Sequence, residues 1–333
     1  MSKTSPTIYD IAREASVSAA TVSRVLNGSS RVNAETRSHI MEVINRLDFV
    51  PKADARARAL RANYRIGVLV PFLTAPSFVQ RLRGVTSALA DTNYEQLIFT
   101  INSKKQMDSY LASLPLTGSL NGLIIMALEI NEAQANHLVQ NRLETVLIEY
   151  PQGGFSTVEI DDVEGGRMAA SYLASKGHTR IAFLGDTNLP EYSIHPITLR
   201  LAGFRQRLAE LGLALPDEYV RLASYNLETA RQVARELLSM PTPPTAIFSA
   251  TDLQAIGVIM AARQLGLKVP GDLAVMGFDD LDMAEVMELT TIRQPLDESG
   301  RVAVELLLGR LDNPDRSLQH VHLPLTVVER NTV

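Results

Sequence analysis

The chain has 333 residues, is 46% hydrophobic, carries a net charge of −5 and contains no cysteine. That length can bury a large core and suggests two or three domains, and the lack of cysteine excludes disulfide frameworks, thiolate nucleophiles and cysteine-ligated zinc together. No apolar run approaches the roughly 20 residues that cross a bilayer and the first residues show no apolar signal core, so a soluble, cytoplasmic protein with no membrane partner is expected.

The charge is unevenly placed. Residues 1–65 hold 11 Lys/Arg against 6 Asp/Glu, whereas residues 66–333 hold 21 against 31. A basic head on an acidic body implies that only the head meets a polyanion. In that head, Thr7 can cap a helix with Asp10 three positions on, and Ile8, Ile11, Ala12 and Ala15 follow at one-faced spacing. Ser16 and Val17 form a tight turn, and Ser18 opens a second helix with Val22, Val25 and Leu26 inward. Asn33 caps a third, with Ile40, Val43, Ile44 and Leu47 inward. Three short helices around one apolar centre suit a helix-turn-helix unit, whose second helix enters the major groove. The outward face of that helix is lean: the Ala19 and Ala20 methyls can touch a thymine methyl, and Arg24 can fork onto guanine O6 and N7. An ordinary helical hairpin with a polar surface has the same spacing.

The stretch "TIYDIAREASVSAATVSRVLNGSSRVNAETR" resembles the N-terminal signature of the LacI/GalR family of bacterial transcription regulators, and the likeness runs along essentially the whole chain. The resemblance implies base reading by Ala19, Ala20 and Arg24 and phosphate contacts from Thr7, Ser18, Thr21, Ser23, Asn27 and Asn33. Ser16 departs from it, since glycine is usual in that turn.

Residues 51–65 follow as a hinge between a head over 1–50 and a body over 66–333. Pro51 ends the third helix, and an Ala/Arg-rich run of helical composition precedes the first strand. So short a helix is marginal alone in water. The resemblance implies a hinge helix that forms on the operator and wedges a leucine into the minor groove. Ungapped matching puts Arg58 at the wedge, with Leu60 the nearest leucine. An arginine can enter a narrow minor groove without unstacking bases, so a shallower kink is expected.

In the body, "RIGVLVPF", "EQLIFTI", "GLIIMAL", "TVLIEY", "RIAFLG", "YVRLAS", "TAIFSA" and "LAVMGFDD" read as buried strands separated by amphipathic helices. This alternation predicts an α/β body of doubly wound parallel sheets, too many units for one sheet. A change near Asp161–Glu164 suggests two lobes, and "LTTIRQP" and "HVHLPLTVVER" suggest that the chain crosses back. The expected lobes are 66–162 with 291–318 and 163–290 with 319–330. Ligands bind beyond the carboxyl ends of such strands, which selects Phe78, Glu149, Asp161, Arg200, Tyr225, Thr251 and Asp279. A ring, an arginine fork and a carboxylate suit a sugar or nucleobase.

The resemblance implies a periplasmic-binding-protein-like body and the same positions, with Arg200 and Asp279 as recurrent effector contacts, Phe78 and Tyr225 as stacking aromatics, and Glu149 and Asp161 as cleft carboxylates. Thr251 stands where asparagine is common, and Met126 where some sugar binders place a polar group. Both departures point away from an ordinary sugar.

Other motifs carry less. His178 precedes a strand without a nucleophile at suitable spacing and reads as structural. His320 and His322 lack a third metal ligand nearby in sequence, and "GDLAVMGFDDLD" has no phosphate-cradling loop beside it. No cofactor, metal or catalytic residue is therefore expected. The sequence reads as an allosteric, operator-binding repressor, a homodimer on a pseudo-palindromic site whose small effector, a carbohydrate or a nucleoside-like molecule, shifts it between DNA-competent and incompetent states. A transport solute-binding protein would lack the basic helical head. A sugar or nucleoside enzyme would need a carboxylate pair spaced for acid–base work.

Overall fold

A computed structural model describes residues 6–26, 32–47, 64–186 and 190–333, without the side chain of Asn45. Asn27, Arg58, Leu60 and most of the hinge lie outside the described residues. The chain divides into two compact units, residues 1–64 and 65–333.

The first unit holds α1 (Ile8–Glu14), α2 (Ala19–Leu26) and α3 (Ala34–Arg46). Thr7 and Asp10 close a reciprocal capping box at the start of α1, which satisfies donors that the helix cannot. The Ser18 hydroxyl accepts from Thr21 N at 3.1 Å, and Asn33 Oδ1 accepts from Thr36 N at 2.8 Å. Ile11, Val22, Val25, Ile40, Val43 and Ile44 form the core, with Ala19, Leu26 and Leu47 packed at its edge. Ser16 sits at φ 53° in the turn between α1 and α2, the left-handed region that favours glycine.

The second unit contains two six-stranded sheets. The first lobe's sheet has the order β11-β5-β4-β3-β1-β2, from β1 (Tyr64–Val70), β2 (Tyr94–Thr100), β3 (Gly122–Met126), β4 (Glu144–Ile148), β5 (Ser156–Glu159) and β11 (His320–His322). The second lobe's sheet has the order β12-β10-β9-β8-β6-β7, from β6 (Ile181–Gly185), β7 (Val220–Leu222), β8 (Ala246–Ser249), β9 (Ala274–Asp279), β10 (Thr290–Arg293) and β12 (Thr326–Val328). The registered pairings are parallel, except that β12 runs antiparallel to β10. The inner strands β3, β6, β8 and β9 are buried throughout, as in a sheet covered on both faces, whereas the edge strands β2, β7, β11 and β12 are half-exposed.

The lobe borders differ from the sequence expectation. Thr290 to Ile292 are buried in register with Met276 to Phe278, so β10 stays in the second lobe and the chain crosses at Gln294 and Pro295 rather than at 291. His320 pairs in register with Thr157, so β11 belongs to the first lobe and the last crossing falls between β11 and β12 rather than at 319. The segment "HVHLPLTVVER" thus holds two short strands, one for each sheet.

Both lobes use the same close helix pair. In the second lobe, Asp162–Ser175 crosses Pro196–Glu210, and a Cβ on Gly166 would lie 2.0 Å from the Arg200 carbonyl oxygen and one on Gly203 1.9 Å from that of Val163. In the first lobe, Pro76–Leu89 crosses Leu296–Asp312, and a Cβ on Gly300 would lie 2.1 Å from the Arg81 carbonyl oxygen and one on Gly84 1.9 Å from that of Asp297. Backbone meets backbone at both crossings, which only glycine permits.

Candidate functional site

The ends of the strands and the crossing segments surround a cavity of about 890 Å³, within the usual size range of small-molecule sites. Phe78, Glu149, Arg200, Tyr225, Thr251 and Asp279 line it, six of the seven residues expected from sequence. Asp161 does not. Its Oδ1 accepts from Glu164 N at 2.9 Å, capping the helix that begins at the next residue. Asp162 turns inward instead, and its Oδ1 accepts from Arg200 Nε at 2.8 Å. A chain that starts a helix spends the capping side chain on the backbone, and this displaces the buried carboxylate by one position.

Arg200 is 3% exposed. Besides Asp162, its Nη1 donates to the Ala250 carbonyl at 2.7 Å and lies 4.0 Å from Asp279 Oδ1, and its plane sits 3.5 Å from the centre of the Phe278 ring. So many fixed contacts aim a planar donor set in one direction. Burial pushes the Asp279 carboxyl up to about 6 despite Arg200. Behind it, Asp252 is fully buried and held well above the carboxylate range by burial and by Asp279, though it accepts from Leu281 N at 2.7 Å and from the Thr291 hydroxyl at 2.6 Å.

Two residues that sequence reasoning missed complete the floor. Arg81 Nη1 donates to Glu149 Oε2 at 2.8 Å, its Nη2 donates to Glu149 Oε1, and Nη2 also donates to Gln294 Oε1 at 3.1 Å. Gln294 Nε2 in turn donates to Asp279 Oδ1. Gln294 lies in a crossing segment, so this chain of bonds joins the first lobe to the second. Repetition was the available signal: "RLRG" from Arg81 and "RLAG" from Arg200 recur at the same place in the two helix pairs. Ala127, Glu149 and Asp279, all on the cavity wall, have φ of 50°, 65° and 118°, and such strained backbone clusters at functional sites.

The two departures from the resembled pattern resolve differently. Met126 is fully buried in the first lobe's core and does not line the cavity, so its apolarity says nothing about the ligand. Thr251 lines the cavity, but its hydroxyl accepts from Gln254 N at 3.3 Å and donates to Gln254 Oε1 at 3.1 Å. Phe78 packs edge-on against Phe72 at 5.7 Å. The Tyr225 hydroxyl is buried with no hydrogen-bond partner among the described residues, and burial raises its pKa. His178 Nδ1 lies 3.1 Å from the Thr245 hydroxyl and His320 Nδ1 3.0 Å from that of Thr157.

In the first unit, Ala20 and Arg24 are exposed on α2, and Thr7, Ser18 and Asn33 are exposed at helix starts. Thr21 and Ser23 are half-buried. Ala19 is also half-buried and packs on the core, so the outward face is narrower than the sequence suggested.

Residues 7–52 match the family "Bacterial regulatory proteins, lacI family", and residues 170–333 match "Periplasmic binding protein-like domain". The ribose operon repressor of Escherichia coli K12 is 32% identical over 98% of this chain and 99% of its own. A solved LacI family transcriptional regulator from Enterococcus faecium with bound ribose is 29% identical, covering 81% of this chain and 98% of its own, with a TM-score of 0.71. A lac repressor dimer bound to operator and an anti-inducer is 26% identical, covering 99% of each chain, with a TM-score of 0.76. Among the described residues no helix is long and apolar enough to cross a membrane. The cleft, the three-helix unit and these likenesses agree: the chain belongs to the lacI family of bacterial regulatory proteins and is a DNA-binding transcriptional regulator under small-molecule control.

Proposed function

We propose that the cleft binds a sugar or nucleoside and that its occupancy sets the operator affinity of the three-helix unit, so that the protein represses transcription as a cytoplasmic homodimer. In this reading Arg200 and Asp279 bind hydroxyls, Phe78 and Tyr225 cover the apolar face of the ligand, and Glu149 and Thr251 frame the site. Arg24 reads a base edge in the major groove with Ala19 and Ala20, while Thr7, Ser18, Thr21, Ser23 and Asn33 hold phosphates, and Asn27, Arg58 and Leu60 extend the same interface. No turnover is proposed, since Glu149 and Asp162 are committed to arginines rather than set for proton transfer. The observation that carries the reading is the convergence of Arg200, Asp279, Glu149 and Tyr225 on one cavity between the lobes, joined with the ribose-bound relative.

A thermal-shift screen of neutral sugars and nucleosides tests it. A true effector at a hundredfold excess over its Kd stabilises the folded body by about 2.7 kcal/mol through mass action. A screen in which no compound raises Tm contradicts the reading.

A further inference from the structure

We infer that Arg81 is a second ligand-binding arginine, supplied by the first lobe as the counterpart of Arg200 in the second, and that the cleft so formed selects an uncharged polyhydroxylated ligand over its phosphorylated form. The inference rests on the proposed ligand reading of the cleft and adds a residue and a charge class to it.

The two arginines hold equivalent places. Each lies three residues before a glycine that crosses a partner helix, Gly84 for Arg81 and Gly203 for Arg200. The carbonyl oxygen of each faces the partner's own glycine, Gly300 in one lobe and Gly166 in the other. Each helix begins with proline at its first position, Pro76 or Pro196, so each arginine stands about one turn in from the strand ends and lines the cavity. The two arginines therefore line one cavity from opposite lobes.

Arg81 also retains donor capacity at the floor. It is 3% exposed, and its Nε is buried with no hydrogen-bond partner among the described residues. An orphaned charged donor next to a cavity is costly unless something supplies an acceptor. Tyr225 carries a second orphan, its hydroxyl, on the same cavity. A hydroxyl-rich ligand offers acceptors to both.

The charge balance disfavours a phosphate. Among the described residues lining the cavity the cations are Arg81 and Arg200, against the carboxylates Glu149, Asp186 and Asp279, with Asp162 bound directly behind to Arg200. Both guanidinium groups are already compensated. The starts of three helices, at Pro76, Pro196 and Asp252, face the cavity as well, each carrying about half a positive charge, so together they offset part of the carboxylate excess without reversing it. A phosphate dianion would enter against excess negative charge, whereas a neutral polyol exchanges hydrogen bonds without adding charge.

Calorimetric titration of the full chain tests this with ribose, other neutral sugars and nucleosides, each beside its phosphorylated counterpart. The neutral member of a pair is expected to bind and the phosphorylated one to bind at least about tenfold more weakly. Arg81→Lys keeps the charge and loses the planar fork, and is expected to weaken the neutral ligand by about tenfold or more. Because a lone substitution could leave Glu149 unpaired and harm the fold, the double variant Arg81→Leu/Glu149→Leu removes the pair together. It is expected to keep the unliganded Tm and lose binding. Equal or tighter binding of a phosphorylated ligand, or wild-type affinity in both variants, overturns the inference while leaving the cleft a ligand site. Binding by no compound in the panel removes the cleft reading and this inference together.

Discussion

At the scale of single residues, the cleft places carboxyl groups where the fold alone would not choose them. Asp279 is 3% exposed and holds its proton up to about pH 6, against 3.8 for an ordinary aspartate. Between those values the folded chain binds more protons than the unfolded one, so this group's contribution to stability is fully present below about pH 4 and is lost as pH rises to about 6. Asp279→Asn is therefore expected to raise unfolding stability above pH 6 while weakening ligand binding. The gain should shrink as pH falls toward 4, as read by denaturant titration at several pH values. A variant less stable than wild type at pH 7.5 would contradict this. On α2, Arg24 is exposed and projects from the helix expected to read bases. Arg24→Ala should cost roughly 1–3 kcal/mol on the cognate site and little on random DNA. Equal losses on both, measured by fluorescence anisotropy, would reassign it to phosphate.

At the scale of elements, legibility followed the strength of local pattern. The strands from β1 to β4 and from β6 to β9 could be read because long apolar runs alternate with amphipathic helices. The four residues of β5, "STVE", carry no such run, and their burial comes from β4 on one side and β11 on the other. The placement of β10 and β11 differs from the expectation for the same reason: three or four residues cannot declare which sheet they join. Of the seven candidates placed at strand ends, six line the cavity, Phe78 and Arg200 from within helices; Arg81, deeper in the Phe78 helix, and Gln294, in a crossing segment, carry no such positional signal. The inward carboxylate is Asp162 rather than the expected Asp161, because capping is decided by where the helix begins. The glycine crossings were unreadable without the partner helix. They yield a sharp expectation: Gly203→Ala drives a methyl toward a carbonyl oxygen 1.9 Å away, should cost about 1–3 kcal/mol as overpacking does, and should weaken ligand binding by moving Arg200. Unchanged Tm and affinity would show that the helices separate without consequence.

At the scale of the whole molecule, charge separates two tasks. The first 65 residues carry the excess of Lys/Arg and the remainder the excess of Asp/Glu, so a polyanion is drawn to one end and repelled by the rest. The operator contact should accordingly weaken steeply with salt, and Arg61→Ala should reduce the slope of log affinity against log salt by about one if that residue meets phosphate. Coupling between cleft and DNA requires only that the ligand bind two states of the protein unequally, with typical coupling of about 1–3 kcal/mol. Competition binding on fragments of the protein's own promoter region against scrambled DNA, with and without a compound that raises Tm, tests that coupling most directly. The account predicts preference for one fragment and a change in its affinity of roughly 5–150-fold when the compound is added. A compound that binds the cleft yet leaves the affinity for that fragment unchanged would contradict it.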